Sequence, residues 1–134
     1  MYLLDTNVIS ELRRPRPNRA VVAWLSSAEQ LFIAAVTFGE LQAGVEMTRR
    51  QDPKKAAAIE AWIDSVAATY SIIAMDEVIF RQWARLMHRR SNNLIEDAMI
   101  AATALIRNLT VVTRNVRDFE QLGAPVLNPF HPVR

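Results

Sequence analysis

Short apolar runs rich in β-forming residues alternate with segments of helical apolar spacing along nearly the whole chain, and that alternation limits the fold more than any other feature. Tyr2-Leu3-Leu4, Leu31 to Val36, Tyr70 to Ile73, Leu109 to Thr113 and Pro125 to Leu127 are the predicted strands. Between them the spacing predicts a short helix through Val8 to Leu12, then a second capped by Asn18 with Val21, Val22, Trp24 and Leu25 on its apolar side. Thr37-Phe38-Gly39-Glu40 has capping-box spacing and opens a helix bearing Leu41, Val45 and Met47. Asp52-Pro53 starts another, with Ile59, Trp62, Ile63 and Val66, and Asp76 caps one with Ile79, Trp83, Leu86 and Met87. A strongly apolar helix through Met99 to Ile106 begins with a second capping box, Asn93-Leu94-Ile95-Glu96, or near Asp97. The expected fold class is α/β: a three-layer α/β/α domain with a mostly parallel central sheet. Arg49 to Lys55 reads as an exposed turn, and without repeat or linker residues 1–134 are expected to form a single domain.

Composition closes off several classes. With 134 residues, of which 51% are hydrophobic, the chain can bury a sizeable core, which argues against disorder. It has no Cys, so disulfides, thiolate zinc sites and cysteine nucleophiles are excluded, and a reducing, cytoplasmic location is expected. The N-terminus reaches Asp5 and Glu11 too early for a secretory signal, and no apolar run is long enough to predict a membrane span. Sixteen Lys and Arg against fourteen Asp and Glu give a formal charge of +2, too small to indicate a partner by itself.

Acid placement is more informative. Asp5 follows a predicted strand, Glu40 is expected in an early helix turn, Asp97 at or near a helix start, and Asp118 after the Leu109 to Thr113 strand. An open parallel sheet gathers such positions into the crevice outside its strand C-termini. Carboxylates brought together there raise one another's pKa unless a cation compensates them, and oxygen donors suit Mg²⁺ or Mn²⁺. Such an ion would acidify bound water and stabilise charge at a phosphate, which points to hydrolytic phosphodiester chemistry.

Four segments together resemble the PIN-domain ribonucleases, specifically the VapC-type toxins of bacterial type II toxin–antitoxin pairs and their FitB-like relatives. They are Leu3-Leu4-Asp5-Thr6-Asn7-Val8-Ile9-Ser10, Phe38-Gly39-Glu40-Leu41-Gln42-Ala43-Gly44, Glu96-Asp97-Ala98-Met99-Ile100-Ala101-Ala102-Thr103-Ala104 and Thr113-Arg114-Asn115-Val116-Arg117-Asp118-Phe119, followed by Asn128-Pro129-Phe130. The resemblance implies a metal-dependent endoribonuclease acting as a toxin, a homodimer that can join a larger complex with a cognate antitoxin, and products bearing 5′-phosphate and 3′-hydroxyl groups. It places Asp5, Glu40 and Asp97 in the acidic core. The fourth position is shared between Asp118, favoured here as the carboxylate, and Asn115, read as a neutral hydrogen-bonding group. In the implied mechanism Asp5 and Asp97 bind the ion, Glu40 orients or deprotonates the attacking water and Asp118 completes the shell. Thr6, Asn7 and Thr113 position water or phosphate, while Glu96 reads as a cap or exposed neighbour.

Two basic groups are candidate RNA contacts: Arg13 and Arg14, with Arg16 and Arg19, near the first acidic motif, and Arg81, Arg85 and Arg89, with His88 and Arg90, in an acid-free stretch. Arg114 and Arg117 flank the last motif. Trp24, Trp62 and Trp83 fit helical apolar faces and read as packing residues rather than RNA-stacking ones. His88 reads as surface-polar and His131 as a tail residue. A binding module without turnover and a structure-selective DNA nuclease stay open as alternatives.

Overall fold

The computed structural model describes residues 1–131. Strands β1 (Tyr2–Leu4), β2 (Leu31–Ala34), β3 (Ser71–Ile73), β4 (Thr110–Val112) and β5 (Val126–Leu127) form a five-stranded sheet ordered β3-β2-β1-β4-β5, with every recorded pairing parallel. The helices are α1 (Thr6–Glu11), α2 (Arg19–Ser27), α3 (Ala35–Arg49), α4 (Pro53–Thr69), α5 (Glu77–Met87), α6 (Ile95–Arg107) and α7 (Val116–Gln121), with a 3₁₀ turn at Asn92–Leu94 before α6. None is long and apolar enough, among the described residues, to cross a membrane.

The strands are short apolar runs because both sheet faces are covered. Successive residues alternate between faces, so Leu3 and Val111 join one apolar layer with Ala98, Ala101 and Phe119. Leu4 and Val112 join the other with Val8, Ile9, Val21 and Ile33. This is the expected three-layer arrangement. Asn108, at φ 57, ends α6 in the left-handed conformation that a short polar side chain tolerates, turning the chain into β4.

The chain lays down β1, β2 and β3 in one direction, then places β4 on the other side of β1. The C-terminal ends of β1 and β4 therefore flank the crevice where a parallel sheet reverses its strand order. Asp5 and Thr113 are the residues that leave these two ends.

Neither predicted capping box forms. β2 stops at Ala34 and α3 begins at Ala35 with no side-chain cap, because strand passes directly into helix. Thr37 is consequently buried inside the first turn, and Glu40 sits a turn later than a capping box would place it. Likewise, the 3₁₀ turn feeds straight into α6, and Ser91 Oγ accepts a hydrogen bond from Asn93 N at 3.3 Å in place of the Asn93 box. Tyr70 ends α4 rather than opening β3, while Leu109 and Thr113 lie just outside β4. Asn18, Asp52 and Asp76 cap α2, α4 and α5 as expected.

The Thr37 hydroxyl has no hydrogen-bond partner among the described residues. Burying an unpaired hydroxyl is unfavourable, so Thr37→Val is expected to raise stability by about 1 kcal/mol. Urea unfolding checks this through an upward shift in midpoint at unchanged slope.

Candidate functional site

Asp5 extends the sheet by one bond, its N–H donating to Val112 O at 2.9 Å, and then caps α1. Only 5% of it is exposed. Its carboxylate accepts from Thr6 N at 2.8 Å, Thr113 Oγ1 at 2.8 Å and Asn7 Nδ2 at 3.2 Å. Thr113 is fully buried and is the hub of this corner: its hydroxyl donates to Asp5 and accepts from Asn115 N at 2.8 Å and Asn7 Nδ2 at 3.3 Å. Asn7 Oδ1 in turn accepts from Arg114 N at 3.2 Å, so β1 and the loop after β4 are locked together. Burial pushes the Asp5 carboxyl above its ordinary pKa, against the pull of the bonds from Thr113 and Thr6.

The other acids arrive from three helices. Asp97 stands in the first turn of α6, and Asp118 in the first turn of α7. Asn115 Nδ2 joins them, donating to Asp118 Oδ2 at 2.8 Å and Asp97 Oδ2 at 3.3 Å. Glu40, from the second turn of α3, lies at the exposed rim and accepts from Thr6 Oγ1 at 3.0 Å. Desolvation of its carboxyl raises the Glu40 pKa, the Thr6 bond opposes this, and the charges of Asp5 and Glu96 raise it further. Asp97 is pushed up to about 6, first by burial and then by Asp5, Asp118, Glu40 and Glu96. Glu96 itself is an exposed neighbour.

The crevice thus sets Asp97 within electrostatic reach of Asp5, Asp118 and Glu40, yet it is not a ready-made ligand cage. Among the described residues no group of three or more His, Cys, Asp or Glu side chains is placed to hold a metal ion. No Lys or Arg, among the described residues, makes an ion pair with Asp5, Glu40, Asp97 or Asp118. Oxygen donors that pair with no cation among the described residues, with the pKa values of Asp5, Glu40 and Asp97 raised, fit a hard divalent ion chemically.

The arginines divide. Helix α5 runs antiparallel to α6: its cap Asp76 meets Arg107 at 3.3 Å, while Trp83 Nε1 donates to Ile95 O at 3.1 Å. The stretch from Arg81 to Arg90 consequently climbs toward the end of α6 that carries Asp97, with Arg81 held by Glu77 and Arg85 by Gln82. Arg117 is exposed on α7. Arg13 lies over the Trp62 ring, 5.5 Å from its centroid. Arg14 and Arg114 share a partner that sequence reasoning missed, the buried Glu11, at 3.4 and 3.9 Å. Glu11 also accepts from Asn18 N at 2.8 Å, and Arg114 covers the Phe130 ring at 3.8 Å. Glu11 ends a six-residue helix and carries no spacing that marks it as buried, so no signal in the chain could have found this clamp.

Comparison with known proteins agrees with this architecture. The profile of the PIN domain family matches residues 2–125. Toxin FitB of Neisseria gonorrhoeae is 37% identical, across 98% of this chain and 99% of that protein. VapC ribonuclease Y4jK of Sinorhizobium fredii is 33% identical, across 98% and 99% of the two chains. A crystal structure of FitAcB from Neisseria gonorrhoeae superposes with a TM-score of 0.85 at 36% identity, covering 98% of this chain and 99% of that one.

Proposed function

The chain belongs to the PIN-domain family, and from that premise we propose that it is a metal-dependent endoribonuclease, the toxin of a toxin–antitoxin pair. One observation carries the reading: acids that pair with no Lys or Arg among the described residues, from the end of β1 and from α3, α6 and α7, lie at the crevice beside the strand-order reversal, where their charge calls for a cation. Likeness to a named toxin and a named ribonuclease supports RNA as the substrate class.

Asp5 and Asp97 would hold Mg²⁺ or Mn²⁺, with Asp118 and Glu40 completing its surroundings. When bound, that ion supplies charge neutralisation at the phosphate and a more acidic water. Glu40, fixed by Thr6 and with its pKa raised by desolvation, would take the proton of the attacking water. Thr113 and Asn7 hold the Asp5 carboxylate in one orientation, and Asn115 spaces Asp97 from Asp118. The basic stretch ending near Asp97 offsets repulsion between the acids and an RNA backbone. A nuclease toxic to its own cell requires a neutralising protein, so an antitoxin partner is part of the proposal, as are a homodimeric state and a cytoplasmic location.

Incubating the purified, antitoxin-free protein with mixed single-stranded RNA tests this. Cleavage in Mg²⁺ that stops with chelator is expected; turnover of DNA alone, or none in a folded protein, overturns it. The same cation has a stability signature. Without metal, Asp97 has a folded pKa of about 6 against an ordinary 3.8, so the stability it favours is full at low pH and declines as pH rises through about 6. Metal-free protein is expected to melt at a lower temperature at pH 7.5 than at pH 5, provided other groups are matched by comparison with Asp97→Asn. Added Mg²⁺ should raise the melting temperature more at pH 7.5 than at pH 5.

A further inference from the structure

Beside the acids lies a groove of about 330 Å³, walled by α1, the turn after it, α3 and α4. It shares Thr6 and Glu40 with the acidic crevice, and Ser10, Arg13, Gly44 and Trp62 also line it. Its size is at the small end for ligand sites and matches a single nucleotide unit better than a folded element. Three features bear on its occupant. Trp62, half-buried and packed against two apolar clusters, still presents ring surface to the groove. The exposed Arg13 stands over that ring and brings positive charge to it. Gly44 lies within α3, where glycine weakens a helix relative to alanine. No close contact requires it, since a Cβ there would meet nothing within 4 Å. A side chain at Gly44 would instead occupy the groove.

We propose that this groove is a nucleotide subsite, holding one unpaired base of the RNA next to the scissile phosphate. The base takes the place of the Arg13 guanidinium on the Trp62 ring, Arg13 swings to its phosphate, and Gly44 keeps the space open. This deepens the ribonuclease reading and rests on it. Continuity with Glu40 favours RNA over a protein segment, because the chain being cut must leave the acids through adjoining space.

Gly44→Leu fills the groove while replacing a poor helix former with a good one. On mixed-sequence single-stranded RNA with Mg²⁺, it is expected to raise KM by about tenfold or more with kcat within about twofold. Its constants on a diribonucleotide, which spans only the scissile bond, should match wild type. Ala43→Leu, exposed on the same helix and outside the groove lining, should change neither. Trp62→Leu should reproduce the KM effect and Trp62→Phe should retain most wild-type affinity, and this pair decides the matter if Gly44→Leu does not fold. A folded Gly44→Leu protein with wild-type KM on mixed RNA overturns the subsite while leaving the ribonuclease reading intact. So does a variant that loses antitoxin binding with RNA kinetics unchanged, which assigns the groove to the protein partner. Absence of RNA cleavage by folded wild-type protein removes both.

Discussion

Asp97→Asn is expected to lower RNA cleavage at least about a hundredfold while making the metal-free protein more resistant to heat at neutral pH. Altering groups that merely orient metal ligands costs about ten- to a hundredfold in affinity or activity, and replacing a ligand itself should cost no less. The gain in stability has a separate origin. Wild-type Asp97 is partly desolvated and faces Asp5, Asp118, Glu40 and Glu96, so its charged form is disfavoured in the fold. Asparagine has no charge to desolvate, and its carbonyl can still accept the Asn115 bond. The sign follows from linkage: the difference between variant and wild type should grow as pH rises through about 6 and vanish below about 4, where aspartate is neutral in both folded and unfolded chains. Thermal melts across that range in chelator, paired with cleavage assays in Mg²⁺, read both effects. A variant less stable than wild type at pH 7.5 would show that Asp97 is held by favourable contacts rather than strained by its neighbours.

Thr113→Val is expected to damage stability and activity together. Valine matches threonine in shape but removes the hydroxyl that donates to Asp5 and accepts from Asn115 N, both at 2.8 Å in a fully buried place. Each stranded partner costs about 1–3 kcal/mol, so the variant should lose roughly 2–4 kcal/mol by urea unfolding. The hydroxyl also lowers the Asp5 pKa against the effect of burial. Without it, Asp5 should be ionised less readily, and cleavage should fall about ten- to a hundredfold and shift toward higher pH. Thr113→Ser keeps the hydroxyl and should restore most of both quantities. An undamaged Thr113→Val beside a damaged Thr113→Ser would show that the methyl group, and hence packing, governs this position.

Much of the fold was legible because both periodicities were clean. Leu3-Leu4 and Val111-Val112 read as buried strands since each residue faces a helix layer, and the three layers follow from that. Helix starts were harder. Thr37 and Asn93 each carry capping spacing, but the preceding strand and 3₁₀ turn run directly into the helices and leave no cap to make. For the site, Asp5 and Asp97 stand where the sequence puts them, Glu40 sits one turn later, and Asp118, expected only after the β4 strand, lies in the first turn of α7, a helix the spacing did not predict. The sequence could not show that Thr113, rather than any acid, is the hydrogen-bonding centre of the corner. Nor could it reveal the Glu11 clamp or the Trp62 groove, because each depends on side chains from elements whose mutual distance is set only by packing.

The central claim is that Asp5, Glu40, Asp97 and Asp118 serve one hard-cation site. Titrating Mn²⁺ into the folded, metal-free protein and following the free ion by electron paramagnetic resonance addresses it without relying on turnover. Saturable binding is predicted for wild type, competed by Mg²⁺, and lost or weakened at least about tenfold in Asp5→Asn and Asp97→Asn. Saturable binding that survives both substitutions, or none at all in protein that cleaves RNA, would contradict the account.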